Sequence, residues 1–223
     1  MKSRPYWNMK LAAGLAVCGL IAAGKLTSAG LDDANRNAAK VRKGFAIAPV
    51  ALDQTGKNPD LVGYGSYLVN AVGGCPDCHS ADQQSVYAPG GNPSLGQPKK
   101  LNPTNYLGGG TDFGPYVTLD HLVARNLTPD KSGQAVGGMS FSTFVDVMRN
   151  GTDNHKVHPN CSPTVTTNCL PPPFKGDLLQ VMPWGAYQDL DDYDLLAIYQ
   201  YLSSIPCVAG STDNTNLLYH ECK

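Results

Sequence analysis

GGCPDCHS, residues 73–80, sets two cysteines two residues apart with a histidine directly behind the second. That spacing serves a redox dithiol, half of a zinc site, or the thioether attachment of a haem. The three chemistries need different surroundings. The reading therefore turns on the compartment in which the chain folds and on the local structure that delivers Cys75.

The chain starts with Lys2, Arg4 and Lys10, runs through the apolar segment LAAGLAVCGLIAAG (11–24) and reaches the small residues Thr27, Ser28 and Ala29. A basic start, an apolar centre and a small-residue end are the order of a secretory signal, with cleavage expected after Ala29. The apolar run is shorter than the ~20 residues of a membrane span and Lys25 closes it, so a retained anchor is the weaker reading. Val17 stands where a lipid acceptor at Cys18 would want a small residue. The expected location is periplasmic or otherwise exported, attached to the outer face of the cytoplasmic membrane if the segment is kept. Without residues 1–29, the 17 basic against 18 acidic residues become 13 against 18, a net charge of −5. That balance suggests neither nucleic acid nor an acidic membrane as a partner. All the acidic residues except Glu221 are aspartates, which cap helices and make turns, and 24 Gly with 17 Pro mark a loop-rich chain.

Seven cysteines become six if Cys18 leaves with the signal. In an oxidising compartment cysteines are paired or otherwise engaged, so a cytosolic-style zinc site is less expected. Zinc would also have to recruit His155 and His158 from far along the chain. A thioredoxin-like dithiol wants a strand before its cysteines and a helix starting at them. Here the expected order is reversed. Asn58 caps a helix with Pro59 at its first position, Leu61, Tyr64, Leu68, Ala71 and Val72 repeat at helical spacing, and Gly73-Gly74 stops it. A helix that hands over to CxxCH suits haem attachment: two thiols two residues apart hold the porphyrin edge, and His79 follows closely enough to reach the iron. No second CxxCH is present, so one haem c is expected, covalent through Cys75 and Cys78.

Two more helices are readable. Ser140 caps FSTFVDVMRN, with Phe141, Phe144, Val145 and Met148 on one face and Gly151 at its end. Asp191 caps the last helix, whose stripe is Leu195, Ile198, Tyr201, Leu202 and Ile205 before Pro206. Strand signals are weak. The stretches 80–125 and 151–181, rich in Gly, Pro, Asn and Thr, read as loops that wrap something rather than as a second domain.

The segments GSYLVNAVGGCPDCHS (65–80), LGGGTDF (107–113), ARNLTPDKSG (124–133), MSFSTFVDVMRNG (139–151), VMPW (181–184) and DLDDYDLLAIYQYLSSIPCV (189–208) together resemble the class I cytochrome c family. Within it they are most similar to the haem domains of cytochrome subunits that accept electrons from periplasmic alcohol and aldehyde dehydrogenases. The resemblance covers about residues 61–207. It implies an all-α class I cytochrome c fold, with three main helices around one haem and long loop insertions. It further implies that Gly65 and Tyr201 meet where the first and last helices cross, that the NLTPD loop lies against the haem edge, and that the methionine of the MP motif is the distal iron ligand. Those subunits usually carry three such domains, and the segment 152–177 is longer than the family leads one to expect. The expected organisation is a signal at 1–29, an N-terminal extension at 30–57, a mono-haem domain at 58–207 and a tail at 208–223.

On the residues themselves, Met139 and Met148 belong to a helix start and a buried face, where methionine fills core. Met182 sits in an extended loop before Pro183, free to reach across a haem, with His155 or His158 as the alternative ligands. Trp184 is expected on the haem edge. Arg125, Asn126 and Thr128 either bond a propionate or form a turn before the helix at Ser140. His121 and His220 read as surface histidines. Of the three pairings open to the remaining cysteines, the shortest loops favour Cys161 with Cys169 and Cys207 with Cys222. A six-coordinate haem has no open position for substrate. The expected role is electron transfer, not enzymatic turnover, between a periplasmic dehydrogenase or membrane electron-transfer complex and an acceptor such as a terminal oxidase. A haem enzyme or small-ligand sensor with an open distal position is the alternative.

Overall fold

A computed structural model describes residues 28–80, 86–113, 123–154, 177–210 and 219–222. The expectations for the signal segment 1–27, for His121, His155 and His158, and for Cys161 and Cys169 lie outside these residues. Among the described residues the chain is helical with no β-strand; backbone pairing outside helices is limited to isolated bridges.

A long helix, α1 (Ser28–Ile47), starts in the last two residues assigned to the signal and runs through the first part of the N-terminal extension, where the sequence was read without any element. It packs against α2 (Pro59–Tyr67) through two glycines. A Cβ on Gly44 would lie 1.8 Å from the Gly63 carbonyl oxygen, and one on Gly63 would meet Phe45 and Val41 within 2.7 Å. The Ser66 hydroxyl donates to the Gly44 carbonyl at 2.7 Å across the same contact. Helices approach this closely only where side chains are missing.

The start of α2 follows its sequence signals: the Asn58 side chain accepts from the Asp60 N–H at 2.9 Å and Pro59 opens the helix. Its end differs from the simple stripe. Residues Leu68–Val72 form a π-type turn, closed by the Gly73 N–H donating to the Leu68 carbonyl at 2.7 Å. The wider turn shifts the register of the face. Leu61 and Leu68 are buried as expected, but so are Val62 and Val69, while Ala71 and Val72 face solvent, Val72 at 63 % exposure. A second difference concerns order: a short helix, α3 (Cys75–His79), does begin at the first cysteine. Gly74, at φ +61°, makes the bend between the two helices, a conformation that suits glycine.

Ser140 and Asp191 cap α4 (Phe141–Asn150) and α5 (Asp192–Leu202), accepting from the N–H groups of Thr143 and Asp194. Arg149 at the end of α4 reaches the Leu190 carbonyl and the Asp192 carboxylate at 3.0 and 2.7 Å, joining the two helices at the entry to α5. All five expected stripe residues of α5 are buried. On α4 the buried set is Phe144, Val147 and Met148, with Phe141 and Val145 partly covered. Helix α5 crosses α2 at Gly65, where a Cβ would lie 1.9 Å from the Ala197 carbonyl oxygen and 2.8 Å from Tyr201 Cβ. Gly65 and Tyr201 thus meet at the helix crossing. Helix α2 is gripped on two sides, and its end is where the cysteine motif begins.

Candidate functional site

Cys75 and Cys78 lie three residues apart on α3, on the same side of one helical turn. Both are thiols and both are partly buried. Desolvation pushes the Cys75 thiol up to about 12, and burial raises Cys78 as well, with Asp77 adding to both. A helix start ordinarily lowers a thiol pKa, but a five-residue helix offers little and desolvation prevails. Both shifts favour the protonated thiol over the thiolate.

His79 closes the helix. Its Nδ1 lies 2.7 Å from the Arg125 carbonyl oxygen, 46 residues away, so Nδ1 carries the donated proton and Nε2 is the ring's other, basic nitrogen. Desolvation lowers its pKa, and the hydrogen bond to Arg125 opposes that shift in part. The LGGGTDF segment backs this arrangement. The Gly109 N–H donates to the His79 carbonyl at 2.8 Å, the Leu107 N–H to Ser80 Oγ at 3.0 Å, and the Leu127 N–H to the Leu107 carbonyl at 2.8 Å. At Gly109, φ +72°, a Cβ would lie 2.5 Å from the Asn126 nitrogen. A side chain there would push the NLTPD loop off the motif.

Arg125 and Asn126, read as bonding a propionate or forming a turn, each bond a distant part of the chain. The Arg125 guanidinium pairs with the Asp153 carboxylate. Asn126, 1 % exposed, donates to the Val208 carbonyl at 2.8 Å and accepts from the N–H and hydroxyl of Thr128; the Val208 N–H donates back to Thr128 Oγ1. The neighbouring Cys207 is disulfide-bonded to Cys222. This clamp draws the tail inward and corrects the reading of His220, which is only 7 % exposed. Its ring lies flush on Gly137, where a Cβ would be 2.4 Å from Nε2, while Lys131 N–H donates to the Glu221 carbonyl beside it. The Cys207–Cys222 pairing is the one expected from loop length, but the packing of His220 on Gly137 is a tertiary contact that residue type does not mark.

Met182 is partly buried and packs against the core. The Trp184 indole rests on Gly151 at the end of α4, and its Nε1 donates to the Leu179 carbonyl at 3.1 Å. That contact sets the loop on α4. Tyr187, not singled out from sequence, brings the same loop to the cysteines: its hydroxyl donates to the Gly73 carbonyl at 3.0 Å, and burial together with both cysteines raises its pKa. Also missed was a buried polar cluster behind Cys75. Asn70 Nδ2 donates to Ser66 Oγ and to Tyr201 Oη, each at 3.1 Å, and the Tyr106 hydroxyl bonds Asn70 Oδ1 and lies 2.8 Å from Tyr201 Oη. Ser66 and Asn70, one helical turn apart within an apolar stretch, were the signal; Tyr106, in a Pro- and Gly-rich loop, gave none.

A c-type haem asks for two thiols at this spacing, a histidine with one ring nitrogen kept available, and an apolar side chain with a soft donor. Cys75, Cys78, His79 and Met182 fit that donor set. Among the described residues no cluster of three or more His, Cys, Asp or Glu stands ready for a bare metal ion, and no helix is long and apolar enough to cross a membrane. Comparison with protein-family models, curated proteins and solved structures finds no match to this chain.

Proposed function

We propose that the protein is an exported mono-haem cytochrome of the class I type and that it carries electrons between redox partner proteins. The observation that carries this reading is the His79 ring, whose Nδ1 is engaged by a backbone carbonyl 46 residues away. Histidines that bind a metal are held by a hydrogen bond of this kind, which fixes the tautomer and the ring plane. Cys75 and Cys78 would hold the haem by thioether bonds, and His79 and Met182 its iron. When bound, the haem supplies a one-electron couple.

The chain's own residues do the rest. The Arg125 carbonyl keeps Nε2 of His79 deprotonated and fixed in orientation. Tyr187, by its bond to the Gly73 carbonyl, keeps the Met182 loop against the motif. The Met182 thioether would favour ferrous over ferric iron if it held the metal, which suits a carrier rather than an enzyme. On this reading the donor would be a periplasmic dehydrogenase or membrane electron-transfer complex, and the acceptor a terminal oxidase.

Carbon monoxide added to the reduced protein at neutral pH tests this. The native protein should leave its spectrum unchanged, and Met182→Ala should bind the gas and lose the sulfur-to-iron charge-transfer band of the oxidised form. Binding by the native protein would favour an open-site enzyme or sensor.

A further inference from the structure

We propose that Asp153 is a positioning residue of this site, acting through Arg125 on His79. The inference rests on the haem reading above. Arg125 has two roles at once: its carbonyl accepts the His79 Nδ1 proton, and its guanidinium pairs with Asp153. The pair is largely withdrawn from solvent, with 14 % of the arginine side chain and 6 % of the aspartate side chain exposed. A buried ion pair is weak support for stability but costly to break, because the remaining charge is left uncompensated.

Asp153 is itself fixed. Its N–H donates to the Asp177 carbonyl at 2.9 Å, Thr152 bridges to Leu178, and the Leu179 N–H donates to the Gly151 carbonyl at 2.7 Å. These bonds join the two ends of the long segment between Asp153 and Asp177, so the carboxylate stands on a braced base. On the other side the Arg125 backbone abuts Gly109, where a Cβ would be 2.6 Å from the Arg125 carbonyl carbon. Asn126 ties the next residue to Val208. The carbonyl that meets His79 is therefore held by its own side chain, by the strand of loop behind it and by its neighbour.

Two consequences have the same sign. A well-placed carbonyl polarises the Nδ1–H bond and makes the imidazole a stronger donor, which favours ferric iron. The negative charge of Asp153 also offsets the guanidinium, which alone would favour ferrous iron. Asp153 thus holds the reduction potential down while Met182 raises it.

The test is made on the haem-loaded protein with Asp153→Asn and Asp153→Glu. The midpoint potential and the solvent exchange of the His79 Nδ1 proton, followed by NMR, are the readouts. Asp153→Asn should raise the potential and speed the exchange about tenfold, the factor that corresponds to losing about one net hydrogen bond, and Asp153→Glu should restore both toward native values. The double variant Arg125→Gln, Asp153→Asn removes both charges of this pair together, so it keeps the test open should the single variant not accumulate; it too must show faster exchange. Native exchange and potential in Asp153→Asn, native exchange in the double variant, or equal shifts in the Asn and Glu variants, would overturn the proposal. A protein that takes up no covalent haem would overturn the site reading, and this inference with it, which distinguishes the two failures.

Discussion

Around the entry to α3, Ser66, Asn70, Tyr106 and Tyr201 are all buried and bonded to one another, and Gly65 brings α5 into backbone contact with α2. Around Met182 the picture is the reverse: Pro183, Gly185 and Ala186 are exposed, and the loop is held by side-chain bonds at Trp184 and Tyr187. The first region is fixed by helix packing and a closed polar network, the second by a few anchors on a short turn. This difference matches the chemistry proposed for each side. Covalent attachment needs thiols and an imidazole in one rigid register, whereas a thioether ligand on a long side chain tolerates a loop.

If the cysteine side is the rigid one, damage there should cost most. Gly65→Ala sets a methyl group 1.9 Å from the Ala197 carbonyl, against backbone that cannot yield. It should destabilise the oxidised protein by about 3 kcal/mol or more in chemical denaturation, or prevent its accumulation. A loss under 1 kcal/mol would mean that the α2–α5 contact is looser than described. Tyr201→Phe leaves the hydrogen bonds of Asn70 and Tyr106 incomplete in a buried setting, and about 2 kcal/mol should be lost in the same assay. On the loop side, Trp184→Phe keeps an aromatic ring on Gly151 but removes the bond to Leu179, for about 1 kcal/mol. Should Trp184→Phe cost more than Tyr201→Phe, the contrast between the two regions fails.

The same contrast explains what the sequence disclosed. Caps at Asn58, Ser140 and Asp191 are local signals, set by side chains that bond N–H groups two or three residues on, and all three were readable. So was the α5 stripe, because an eleven-residue helix packed on one side repeats its apolar residues regularly. Helix α1 was not. Nine of its twenty residues are polar or charged, and its contact with α2 is made by Gly44, a residue that argues locally against a helix. The π-type turn at Leu68–Val72 escaped for a related reason, since it breaks the period on which the stripe was read and turns Ala71 and Val72 outward. Of the site, CxxCH was legible because its spacing is chemical. The partner of His79 was not, because a backbone carbonyl leaves no mark on residue type; nor was Asp153, which sits at the mouth of a segment that reads as a loop. The Cys207–Cys222 disulfide was readable from loop length, whereas the burial of His220 against Gly137 was not, because it is a tertiary contact that periodicity cannot express.

The central claim is that Cys75 and Cys78 carry a haem, and the mass of the denatured mature chain tests it most directly. The chain should be produced in cells that attach haem to CxxCH motifs. The account predicts a mass above that of the polypeptide by one haem and an absorption spectrum that survives denaturation, both abolished in the Cys75→Ala, Cys78→Ala double variant. A native chain with no added mass, or an added haem that persists in the double variant, would contradict it.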